Sequence, residues 1–105
     1  MSLRMPQNLL TSPQFETGFS ILEAELRAEQ AHALGRLGRD VESALEALTI
    51  VDAKDPARLM LVKVAAGAVW RYFVQREACG MLNHDQPIEH YAIPPDVLAR
   101  VGAAE

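Results

Sequence analysis

The side chains with the widest chemical reach crowd into ACGMLNHDQPIEHY, residues 78–91. This stretch holds the only cysteine and two of the three histidines. Cys79, His84 and His90 are the metal-ligand candidates, with Asp85 or Glu89 available to complete a set after folding. Their spacing, Cys-x4-His-x5-His, matches no paired-cysteine knuckle, and no second cysteine exists to make one. A Cys79–His nucleophile would need an imidazole within reach of the sulfur. Near a helix C-terminus the dipole disfavours the thiolate that such chemistry uses. The plainer reading makes Cys79 a core residue of an apolar helix and His84 a partner for the last helical carbonyls.

A second constellation is Glu23, Glu25 and Glu29 with His32. Glu29-Gln-Ala-His32 has the local spacing of a carboxylate-bundle metal site, which needs a second such pair facing inward. A symmetric partner chain could supply it. Here these residues lie beside the apolar stripe, which makes them a solvated face. LGRLG (34–38) lacks the Lys-Ser/Thr of a phosphate loop. The small run from Ala65 to Ala68 is better suited to close helix approach than to a dinucleotide. No catalytic residue and no cofactor is assigned.

The elements that would position these groups are helices. Ser12-Pro13 is a helix start: a serine cap, then a proline that needs no donor. Apolar residues follow at Phe15, Phe19, Leu22, Leu26, Ala33, Leu37, Val41, Ala44 and Leu48. They repeat every eleven residues, about 3.67 per turn. The phase predicts one long helix over 13–53 behind an arm over 1–12. Gly35 and Gly38 are the place for a bend, or for a joint between two helices. Asp55-Pro56 starts a second helix, 56–83, with Gly80, Asn83 and His84 as terminators. Residues 94–102 read as a short closing helix stopped by Gly102. The fold class is all-α: a single domain built on an antiparallel hairpin of two long helices.

Composition narrows the function. The net charge is −4, against the basic face that phosphate binding needs. Arg36, Arg39, Arg71 and Arg76 are the arginines a dimer could still concentrate for nucleic acid. The N-terminus has no signal-peptide core, and residues 59–70 are too short to span a bilayer. One cysteine makes no internal disulfide. A cytoplasmic protein is expected.

With the turn at 54–55, level positions sum to about 109. Trp70 and Phe73 then face Gly35 and Gly38, which make room for them. Phe15, Phe19, Leu22 and Leu26 overhang and need a cover, from residues 84–105 or from a second chain. A two-helix hairpin leaves one face of its second helix bare, so a dimeric four-helix arrangement is expected. The first helix is acidic (Glu16, Glu23, Glu25, Glu29, Asp40, Glu42, Glu46 and Asp52 against Arg27, Arg36 and Arg39). The second is basic, with Arg58, Lys63, Arg71 and Arg76 against Glu77. That difference orients partners more than it stabilises them.

RYFVQREACG (71–80) followed by IPPDVLARVG (93–102) resembles small bacterial helical proteins of uncharacterised function. The resemblance covers about the C-terminal third. It implies a bacterial, cytoplasmic, helical protein and carries no catalytic residues. The leading expectation is a homo-oligomeric structural, adaptor or regulatory module, with or without a further protein partner. The alternative is a metal- or small-ligand-binding protein with its site near Cys79, His84 and His90.

Overall fold

Helix-forming residues dominate the chain, and turn signals cut it in few places. The structure, a computed structural model, describes residues 13–103. Among these residues there is no strand. Four helices follow in order: α1 Pro13–Ile50, α2 Arg58–Ala78, α3 Asp85–His90 and α4 Pro95–Leu98. The arm expected over 1–12 and the Ser12 cap lie outside the described residues. The chain divides into two units, Met1–His32 and Ala33–Glu105.

In the first unit, residues 13–32 are a helical segment with local contacts. Thr17 Oγ1 donates to the Pro13 carbonyl at 2.9 Å. Phe15 and Phe19 stack with ring centroids 6.3 Å apart. Phe19, Ile21, Leu22 and Leu26 are all more than half exposed.

The second unit holds the core. Val41 and Leu48 of α1 meet Val62, Ala65, Ala66, Ala68 and Val69 of α2, and Ile93 and Val97 close over them. α1 is helical straight through Gly35 and Gly38, so the two-helix reading does not hold. It ends at Ile50 rather than 53. Asp52 turns the chain there, accepting the Ala53 N–H on Oδ1 and the Asp55 N–H on its carbonyl.

α2 starts at Arg58, not Pro56. Asp55 Oδ1 accepts the Ala57 N–H at 2.8 Å, and residues 56–57 are spent in that turn. It also ends earlier than 83. Gly80 takes φ +86°, its N–H bonds Glu77 O, and Met81 N–H bonds Arg76 O at 2.9 Å. This is a Schellman stop, and glycine is the residue that reaches it without strain.

Residues 85–90 form a helix where the sequence suggested only a turn. Six residues containing Pro87 are too short for periodicity to register. Pro87 sits in the first turn, where its missing N–H costs nothing. The closing helix is α4 followed by turns through residue 102, with Gly102 at φ +79° as its stop. Residues 88–101 pack into the core of the second unit. Their apolar side chains lie against α2 and Val41.

Candidate interaction surface

The chemistry-bearing stretch 78–91 is assembled around one of the basic residues of the second helix. Arg76, on α2, is only 8 % exposed. Its Nε donates to His84 Nδ1 at 3.2 Å and its Nη2 to the Asn83 carbonyl at 2.9 Å. Its guanidinium lies 5.9 Å from the Tyr72 ring centroid. Its own carbonyl accepts the Cys79 and Met81 amides. Arg76 therefore ties the end of α2 to the entry of α3.

His84 is held on all sides. Because Nδ1 accepts from Arg76, the ring carries its proton on Nε2, which donates to Glu77 Oε1 at 3.2 Å. The imidazole stacks on Phe73, centroids 4.1 Å apart and 1° from parallel. Cys79 is half-buried, and its sulfur meets Gln75 Nε2 at 3.7 Å. His90 is exposed and lies edge-on to Tyr91 at 4.7 Å. The three metal candidates are thus placed with three different sets of neighbours. Among the described residues, no three His, Cys, Asp or Glu side chains gather as a metal set. Glu23, Glu25, Glu29 and His32 are all exposed. Arg76 is likewise committed inward and is not a phosphate contact.

The glycine prediction is half corrected. A Cβ at Gly38 would sit 2.5 Å from Tyr91 Oη and 3.7 Å from Tyr72 Cε1. Gly38 does make room, but for Tyr72 and Tyr91 rather than Trp70 and Phe73. The pair Gly38 and Tyr72 sums to 110, one more than expected, and one residue turns a helix face by about 100°. A Cβ at Gly35 would meet only the end of the Arg39 side chain at 3.4 Å, so Gly35 has no such role. Tyr72 and Tyr91 meet edge to face at 5.8 Å. Burial, then Tyr72 and Glu42, push the Tyr91 phenol above its ordinary value.

Trp70 is not core either: it is 48 % exposed and packs beside Gly102. It borders an open groove of about 560 Å³ between α2 and the chain's last turn, lined by Met60, Lys63, Val64 and Gly67. Met60, Val64 and Val74 are also exposed. Their positions, with Gly67 and Arg71, step by four, three, four and three along α2. That outer stripe was legible in the sequence.

Over residues 1–105 the chain matches a family of unknown function, DUF6665. It belongs to that family. No curated protein and no solved structure matches it. The family has no assigned function to lend, and the surface is read from the chain's own residues. Among the described residues no helix is long and apolar enough to cross a membrane. The two apolar helix faces left exposed, residues 19–26 of α1 and 60–74 of α2, are each lined by charges of one sign.

Proposed function

We propose that this DUF6665 protein is a small self-associating module that works through helix faces, as a structural, adaptor or regulatory component of the bacterial cytoplasm. One observation carries the reading. Large apolar side chains on two helices, Phe19, Leu22 and Leu26 on α1 and Met60, Val64 and Trp70 on α2, are exposed in the single chain. Contiguous apolar surface of this kind marks an association site. The single cysteine and the net charge of −4 fit a reducing, non-nucleic-acid setting.

The test is light scattering with native mass spectrometry on the full chain at micromolar concentration. A dimer supports the reading; a monomer across the accessible range overturns it. The same spectra weigh the metal. Stoichiometric zinc or iron, lost in Cys79→Ser, would replace this reading with a ligand-binding one.

A further inference from the structure

We infer that the outer face of α2 receives residues 13–32 of α1 from a second copy of the chain, each copy giving its segment and taking the other's. This rests on the self-association proposed above and names the surfaces that make it.

Both faces have the form of a helix–helix seam. On α1, Phe15, Phe19, Leu22 and Leu26 step by four, three and four. On α2, Met60, Val64, Gly67, Arg71 and Val74 continue the same alternation. Alternating three and four is the spacing by which one helix lays a stripe against another. The lengths agree: residues 13–32 and α2 each extend about 30 Å at about 1.5 Å per residue.

The charges decide which face meets which. On the α1 seam Glu16 and Glu23 flank one side and Glu25 the other. Arg27, four residues after Glu23, lies on the same side as Glu16 and Glu23 but turned further from the stripe, so the flanks stay acidic on balance. On α2 Lys63 lies at the edge of the stripe and Arg71 within it. Among the described residues none of Glu16, Glu23, Glu25, Lys63 and Arg71 has an ion-pair partner. Pairing two α1 segments would set glutamate against glutamate. Pairing two α2 faces would set Lys63 and Arg71 against their own kind. Crossing the two neutralises both, and charge patterns choose partners in this way. An anionic lipid surface is disfavoured for the same segment, because its polar flanks are acidic where lipid-binding helices are basic.

Gly67 marks where the incoming helix sits. A Cβ there would meet only the Arg71 guanidinium, at 3.4 Å. The backbone at the centre of the stripe is thus covered only by the Arg71 side chain, which docking would turn towards a carboxylate. The donor segment needs the contact as well. Its exposed apolar stripe supplies the reward for docking.

The experiment uses the full chain with Phe19→p-benzoylphenylalanine, mixed from unlabelled and nitrogen-15-labelled protein and irradiated. Mixed-isotope peptides joining residues 13–32 to 58–78 are expected. A dimer whose links join 13–32 to 13–32, or whose links to 58–78 are isotopically pure, overturns the exchange and leaves self-association standing. A monomer overturns both. In parallel, Lys63→Glu with Arg71→Glu should weaken the dimer at least tenfold. Adding Glu16→Lys, Glu23→Lys and Glu25→Lys to the same chain should restore it. Failure of that reversal to restore the dimer also overturns the exchange.

Discussion

Gly38 and Tyr91 form a sharply constrained pair. Alanine is normally the better helix residue by about 1 kcal/mol. At Gly38 the added methyl would meet Tyr91 Oη at 2.5 Å, and forcing it in costs about 1–3 kcal/mol. Gly38→Ala is therefore expected to destabilise in urea unfolding. Combined with Tyr91→Phe, which removes the clashing oxygen, most of that loss should vanish in a double-mutant cycle. Tyr91 also makes stability depend on pH. Its phenol is raised above 10.0, so the unfolded chain gives up this proton first. The contribution is whole below pH 10 and is lost as pH rises through the folded value. Thermal melts between pH 8 and 11 should show a steeper alkaline decline in the wild type than in Tyr91→Phe. That Gly38 needed a packing reason was readable from a glycine inside an unbroken helical phase. The partner was not, because Tyr91 arrives from a segment whose path no periodicity announces.

At the scale of elements, the short helices depend on their ends. α3 closes as α2 does, with Ile93 N–H on the Ile88 carbonyl at 3.1 Å. The left-handed position is filled by Ala92 at φ +51° instead of glycine. An L-residue with a Cβ is strained there by about 1–2 kcal/mol. Ala92→Gly is expected to raise stability by about 1 kcal/mol in chemical denaturation, its greater unfolded-state freedom offsetting part of the gain. The joint between α2 and α3 is held from the opposite direction, by a buried charge. Arg76→Met would keep the length of the side chain but leave His84 Nδ1 and the Asn83 carbonyl without their donor. The expected loss is about 2–3 kcal/mol, measured by the same denaturation. Amide exchange at Asp85 and Ile88, which starts from this joint, should quicken in the same variant.

For the whole molecule, association and charge are the same question. The α1 segment carries Glu16, Glu23 and Glu25, and the α2 face carries Lys63 and Arg71. Raising salt from about 0.05 to about 0.5 M shortens the Debye length about threefold and should raise the dissociation constant of the proposed dimer. Trp70 is the sole tryptophan and sits at the edge of the groove, so its emission should shift to the red as the proposed dimer dilutes apart. Dilution with no salt effect and no spectral change would remove the charge-paired surface from the account.

What the residues determine by themselves is local. Helix type, the long phase through Gly35 and Gly38, and the stops at Gly80 and Gly102 follow from periodicity and from the left-handed freedom of glycine. Those properties belong to a few neighbouring positions. Tertiary structure alone decided that Arg76 is buried, that His84 is bonded through both nitrogens, that Trp70 faces outward, and that residues 88–101 close over α2. Each depends on the register between segments distant in the chain. In a helix an error of one residue in register turns a side chain by about 100°. Composition and spacing can name a residue that will matter without naming the neighbour that gives it its role.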